Sequence, residues 1–482
     1  MPIPSTVVPG VRGVRRSAVL AWLAVALATA TAALAAPAAP PGGRQENAAS
    51  RLIAAALADS QAAARLAELC DTCGPRLPGS PGLDCALAWA LARMRADGLA
   101  AVRAETVLVP HWVRGEERAE CVAPVRFPLR LLGLGGTVGT PAAGLEADLL
   151  CVRDFAELEA RGGEARGRIV LFDQPWEGYG KTVQYRARGA DAAARHGAVA
   201  CLIRSVTGTS LANPHTGVMH YEDRADSAWT GVPMIPAAAL TVEDAGRLRR
   251  LANRGLPARV RLYLGARTLP DTVSANIVGE VRGRERPDEI VLIGAHLDSW
   301  DVGTGAHDDG AGCVIVMEAA RLIARLPQPP RRTLRVVLFV DEEQTQAGGR
   351  AYATLHADEL ARHVAALECD SGGFPPVGFS VQADSSIVAR VRELAGPLAT
   401  VGATEIGEGY GGVDISFIVA QGVPGIGHRV DSPHYMDYHH SPADTFDKVD
   451  ARDLALSVAA VAGLAWALAE DPAPLRPPVP AP

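Results

Sequence analysis

Acidic residues and histidines of this chain gather in five short stretches. They are "AHLDSWD" with His296 and Asp298, "GAHDDGAG" with Asp308 and Asp309, "VDEEQ" with Asp341, Glu342 and Glu343, "ECDSGG" with Asp370, and "YHHSPADT" with His439, His440 and Asp444. Histidine and carboxylate without suitably spaced thiols is a donor set that suits zinc, and also manganese or cobalt. Two cations held close together need a bridging carboxylate and mixed shells. Such a pair also explains the acidic crowding, because it stabilises the ionised form of each carboxylate. Singly, every stretch has an ordinary explanation: a hydrogen-bonded H-x-D pair, a "DDG" turn, a charged first helical turn, a surface "HH". Their joint occurrence in this order points to a metal site.

Three of the stretches follow apolar runs, "IVLIGAH", "VVLFV" and "VAALE", which read as strands. Sites in open α/β sheets form beyond the carboxyl ends of such strands. "SANIVGEV" and "GVPGIGH" are further strands. "GCVIVMEAARLIARL" (stopped by Pro327), "GGRAYATLHA" and "DARDLALSVAAVAGLAWALAE" (capped near Asp450) are helices. This alternation over 269–470 predicts a mostly parallel, buried central sheet flanked by helices. Residues 51–127 add helices ending near Gly98 and an alternating strand, "VRAETVLVPHWV". Between 128 and 268 the short strands "ADLLCV", "GRIVLFD", "AVACLIRS" and "ARVRLYLGA" read as an inserted α/β unit that carries no compact acid–His cluster.

Net charge is −7, so no basic excess exists to neutralise phosphates, and nucleic acid is excluded as a main partner. Arg12, Arg15 and Arg16 precede an apolar run and "ALA" at 33–35, which predicts an export signal over 1–35. A membrane is reached only if that segment is retained. Residues 36–50 and 471–482, rich in proline or glycine, are expected to be a disordered linker and tail. The eight cysteines are scattered; the expectation is small buried residues with one local bridge at most.

"AHLDSWDVGTGAHDDGAG", "VDEEQ", "LECDSGG" and "YHHSPADT" resemble the motifs of the di-zinc aminopeptidase-type exopeptidases. Upstream stretches such as "GPRLPGS", "PHWVRGEE" and "KTVQYRARGA" extend the likeness over roughly residues 50–470, toward its carboxypeptidase-type dipeptidases. The resemblance implies two Zn2+ per chain, the zinc exopeptidase fold, a protease-associated domain at 128–268, and homodimerisation. It implies that His296 and Asp370 bind one zinc, Glu343 and His440 the other, and that Asp308 bridges both. It makes Glu342 the general base and acid, and Asp298 the residue that orients His296 through its other ring nitrogen. The peptide bond after Asp308 would be cis. His439 would be structural or line the pocket. Asp414 would meet the substrate amine, or else cap the helix in "ISFIVA".

Two departures stand out. The family usually has a small residue where Asp341 stands, and an ionised neighbour there would raise the pKa of Glu342. Adjacent side chains on a strand point apart, so the strand must bend for both glutamates to face metal, leaving Asp341 directed to solvent or a basic partner. His307, directly before Asp308, is expected as a solvated loop residue. The resulting expectation is an exported di-zinc exopeptidase of dipeptides or short peptides; the likeness favours a carboxypeptidase-type dipeptidase, with an aminopeptidase of the same family as the alternative. A catalytically dead scaffold would have lost ligands, and a single-zinc glutaminyl cyclase would lack the insertion.

Overall fold

The computed structural model describes residues 42–221, 232–473 and 475–476. The export signal expected at 1–35 and the last residues of the tail lie outside them.

Two eight-stranded sheets organise the described chain. The central one runs in the order Ala100–Val113, Arg267–Val281, Arg332–Phe339, Arg286–His296, His363–Glu368, Gly425–Val430, Pro376–Gln382 and Glu405–Glu408. Its middle is parallel, as the continuous apolar runs predict. Antiparallel pairs flank this middle on both sides, and the outermost pair, Pro376–Gln382 with Glu405–Glu408, is parallel again, so the sheet is mixed. Every residue of Arg332–Phe339 is buried. Val291, Ile293, Leu334, Val336 and Leu338 face the helices Ala311–Ala324 and Ala451–Glu470, while Leu292, Val337 and Phe339 face Tyr352 and Ile418 on the other side. Both faces are therefore covered, which leaves the strand ends as the natural place for polar groups.

The second sheet takes its strands from between Glu117 and Leu264, in the order Phe127–Leu129, Glu117–Ala123, Arg259–Leu264, Leu145–Val152, Ile169–Phe172, Ala200–Arg204, Ala237–Leu240 and Leu131–Gly133. Its first strand in sequence starts upstream of residue 128. The helix Tyr179–Arg195 packs on it through Tyr185, Ala190, Ala193 and Ala194.

Both expected disordered segments need correction. The helix Gly42–Ala58 takes in most of the linker predicted at 36–50, because Ala49, Leu52, Ile53 and Ala56 form a buried stripe at helical spacing. This stripe closes over the long final helix, Ala451–Glu470, which is long and apolar enough to cross a membrane but is largely buried in protein. The tail predicted at 471–482 is anchored at its start: Arg390 donates to both oxygens of Asp471 at 2.8 and 2.7 Å, and Leu475 joins the core. One disulfide, Cys73–Cys85, is present, and the other six cysteines are free and buried.

A buried ionic cluster ties the first strand to the helices behind the sheet. His356 lies between Glu105 (Nε2 to Oε2, 2.9 Å) and Glu359 (Nδ1 to Oε1, 2.6 Å). Burial lowers the imidazole pKa, but the two carboxylates outweigh it and the net direction is up. A histidine whose pKa rises on folding contributes stability below its unfolded value near 6.5, and that contribution fades as pH climbs through the folded value. His356→Gln is therefore expected to cost more stability at pH 6 than at pH 9, measured by denaturant unfolding at both.

Candidate metal centre

The strand Arg286–His296 delivers His296 at its carboxyl end, and the parallel neighbours deliver the acidic turn after Phe339 and Asp370 after Glu368. The remaining donors come from two loops, 297–310 and 435–445. Asp308 stands at the centre. Its Oδ1 is 3.3 Å from His296 Nε2, which in turn is 3.6 Å from Asp370 Oδ1. Its Oδ2 is 3.2 Å from His440 Nε2, which is 3.0 Å from Glu343 Oε2. The two oxygens of one carboxylate thus divide between two donor sets. Donors at zinc–ligand distances around a tetrahedral ion lie about 3.3 Å apart, which is the spacing seen.

The polar atoms at this point fit a cation. His296 Nε2, Asp308 Oδ2 and Glu343 Oε1 are buried and have no hydrogen-bond partner. Leaving such atoms unpaired is costly, and a metal ion satisfies donors of this kind together. Burial followed by the carboxylates Asp370, Glu343 and Asp414 holds the carboxyl of Glu342 well above its usual range. Burial opposes ionisation of Asp308, but the two histidines outweigh it and bring its pKa down. Glu342 and Asp370 are the half-buried members of the group and mark its open side. No protein group hydrogen-bonds to the Glu342 carboxylate among the described residues.

Neighbouring acids have other duties. Asp309, joined to Asp308 by a cis peptide bond, accepts from the His296 and Gly312 amides at 3.2 and 2.9 Å, so both of its oxygens are used. Asp444 accepts from the His307 and Asp308 amides at 2.7 and 3.1 Å and fixes the loop that carries Asp308. Asp298 approaches His296 Nδ1 chiefly through its backbone carbonyl at 3.1 Å, its carboxylate being 3.7 Å away. That carboxylate instead accepts from the amides of Glu342 and Glu343, at 3.3 and 3.4 Å.

Sequence reasoning missed Arg76. Its buried guanidinium donates to the carbonyls of Leu297, Thr304 and Gly305 at 2.6, 2.6 and 2.9 Å, lacing both ends of the 297–305 loop to one side chain. The signal was an arginine inside the Pro/Gly-rich "GPRLPGS" turn.

Asp341 corrects one expectation. The strand does bend: Asp341 has φ +64°, a conformation that favours Gly, Asn and Asp. Its side chain, however, turns inward and is fully buried rather than facing solvent or a basic group. It accepts from the Thr345 hydroxyl and from the Ala347 amide. Desolvation and then Asp298 push its carboxyl up to about 8. The raised pKa of Glu342 therefore arises from burial, Asp370, Glu343 and Asp414, and an ionised Asp341 is not needed to explain it.

His307 is a second correction. It is buried, stacked on Phe374 at 4.4 Å, accepts from the Gly373 amide, and lies 3.2 Å from the Lys448 carbonyl. Burial pulls its pKa down to about 4. It faces away from the donor sets and supports the loop from behind. His439 is buried against His440, ring on ring at 3.6 Å, with its Nε2 3.7 Å from Asp308 Oδ2. Asp414 is buried with both oxygens unpartnered, and it does not cap the short helix Ser416–Val419.

The second sheet reaches this centre. Thr216 N donates to the His440 carbonyl at 2.9 Å, His215 Nδ1 lies 2.7 Å from the His439 carbonyl, and Asn213 donates to Ser441 Oγ at 2.6 Å. These contacts hold His440 at φ +58°, where a non-glycine residue is strained.

Known proteins resemble this chain over most of its length. Residues 276–465 match the model of Peptidase family M28. Carboxypeptidase Q of Mus musculus is 43% identical over 84% of this chain and 85% of its own length, and that of Homo sapiens is 42% identical over 84% of each. The crystal structure of a Peptidase M28 precursor from Shewanella amazonensis, 38% identical, superposes with a TM-score of 0.87 over 91% of this chain and all of its own. A zinc aminopeptidase from Bacillus subtilis, 20% identical, shares the fold with a TM-score of 0.62 over 84% of this chain and 93% of its own.

An acid whose pKa rises on folding costs stability that grows as pH climbs from the unfolded value near 3.9 toward the folded one. Asp341→Asn keeps the left-handed backbone and removes that charge. It is expected to raise Tm at pH 8 and to change it little at pH 4, as thermal melts at the two pH values would show.

Proposed function

Because the chain belongs to peptidase family M28, we propose that its acid–histidine cleft hydrolyses dipeptides or short peptides with two zinc ions, as a carboxypeptidase-type dipeptidase. The chain is a zinc metallo-exopeptidase. The division of the Asp308 oxygens between two donor sets carries the reading of two ions. In that reading His296 and Asp370 would hold one zinc, Glu343 and His440 would hold the other, and Asp308 would serve both. Zinc at these positions supplies Lewis acidity, which makes water nucleophilic near neutral pH and polarises a scissile carbonyl.

The protein's own part is positioning and proton transfer. Glu342 is held by its backbone amide to Asp298 and leaves its carboxylate free on the open side. It accepts the proton of the attacking water and returns it to the nitrogen of the leaving amine. Without cations, burial and the neighbouring carboxylates hold its carboxyl above the usual range, and cations in the centre would favour the ionised form that accepts the proton. Asp414, a buried carboxylate without a partner, supplies the counter-charge for a free substrate amine. His439 forms the cleft wall beside Asp308. The unit over 128–268 acts as a protease-associated domain, bracing the loop that bears His439 and His440. Export is supported by the basic and apolar N-terminal run and by the Cys73–Cys85 bridge, which persists in oxidising compartments.

Glu342→Gln is expected to lower kcat for dipeptides by about 10²–10⁴-fold while bound zinc, measured by atomic absorption, stays at the wild-type level. Unchanged turnover would remove Glu342 from its role. Asp414→Asn should raise KM for a free dipeptide by about tenfold and leave an N-acetylated dipeptide unaffected; equal effects on both substrates would count against amine recognition.

A further inference from the structure

The two histidines of the centre are backed in opposite ways. Behind His296, Nδ1 faces the Asp298 carbonyl at 3.1 Å, the usual partner of a metal-ligating imidazole, which strengthens donation from the other nitrogen. Behind His440, Nδ1 faces a guanidinium: Arg186 Nη1 is 3.1 Å away. Arg186 belongs to the helix Tyr179–Arg195 of the second sheet's unit and is almost wholly buried. Its other contacts are neutral, with Nη2 donating to Tyr179 Oη at 3.0 Å and Nη1 to the Thr216 carbonyl at 3.5 Å, while Nε has no partner. No carboxylate lies within ion-pair distance of it among the described residues. The place is built for it, since a Cβ on Gly217 (φ +133°) would stand 2.4 Å from the guanidinium carbon.

We propose that Arg186 sets the two metal positions apart, keeping the one held by Glu343 and His440 the looser. This rests on the two-zinc reading above. The guanidinium of an arginine carries a permanent charge. With Nε2, the nitrogen that faces Asp308 and Glu343, on a metal, Nδ1 of the neutral imidazole carries the ring proton, so the guanidinium N–H meets a donor instead of an acceptor and opposes the liganded tautomer. The same charge repels a cation across the ring, in surroundings that screen poorly. The His296 and Asp370 position lacks this opposition. Arg186 is therefore a positioning residue through which the second unit governs occupancy of one ion and not the other.

Zinc titration of the full chain, stripped by chelation and followed by competition with a chromophoric chelator, tests this without reference to activity. The wild type should load in two steps. Arg186→Met should tighten the weaker step by about tenfold or more and leave the tighter step unchanged. Arg186→Gln, which keeps a donor but loses the charge, should shift the same step in the same direction, and Arg186→Lys should stay near wild type. If the Met variant fails to fold by circular dichroism, the Gln and Lys pair decides. A weaker step that is unchanged or weakened by loss of the charge overturns the inference, leaving Arg186 a structural prop. A wild type that takes up a single zinc overturns the two-ion reading itself, and this inference with it.

Discussion

The carboxylates that meet at the strand ends cannot all be ionised in the space they share unless cations sit among them. Two like charges 4 Å apart cost about 4 kcal/mol even at an effective dielectric of 20. The fold answers by sorting the acids according to where their oxygens go. Asp298, Asp309 and Asp444 spend theirs on backbone amides and so hold loops in place. Asp308 and Glu343 each keep a buried oxygen free of hydrogen bonds, and such atoms are what a metal can use. The same residue type is thus scaffold in one case and donor in the other, and only the partners tell them apart.

The scaffold around this centre is itself layered. Arg76 collects carbonyls from both ends of the 297–305 loop, and Asp444 pins the residues that follow it, accepting from the His307 and Asp308 amides. The loop bearing His439 and His440 is held by hydrogen bonds from the second sheet's unit rather than by the central sheet. The metal centre consequently sits where two sheets meet, although every donor atom lies on the peptidase side. Trp300 shows how closely the two are fitted: it lies against His440 on one side, and a Cβ on Gly135 would come within 2.0 Å of its ring.

The residues of the cleft were legible because their chemistry and their position coincide. His296, the Glu342–Glu343 pair and Asp370 each follow an uninterrupted apolar strand, and such strands predict both the buried parallel core and a polar end. The helix Ala451–Glu470 was equally plain, with its Asp450 cap accepting from the Arg452 and Asp453 amides. Asp341 and His307 were misjudged for a common reason: a polar residue in a loop is normally solvated, and only tertiary packing can bury it. The helix Gly42–Ala58 was obscured by its Pro/Gly-rich approach, and its apolar stripe acquires meaning only against a helix some four hundred residues away. Arg76 was marked only by its place in a Pro/Gly-rich turn, and Arg186 left no local trace, because their partners are backbone carbonyls and an imidazole distant in sequence.

The Cys73–Cys85 bridge closes a short loop, and Arg76 lies inside that loop. Cross-linking removes freedom from the unfolded chain, so the segment around Arg76 starts from a restricted set of conformations. The carbonyls that Arg76 gathers belong to the loop leading to Asp308. Oxidation of one thiol pair near the N-terminus therefore bears on how readily the central carboxylate, Asp308, reaches its place. In a reducing environment the same sequence would have to order that arginine without help, so the oxidation history of the chain becomes part of how its metal centre is assembled.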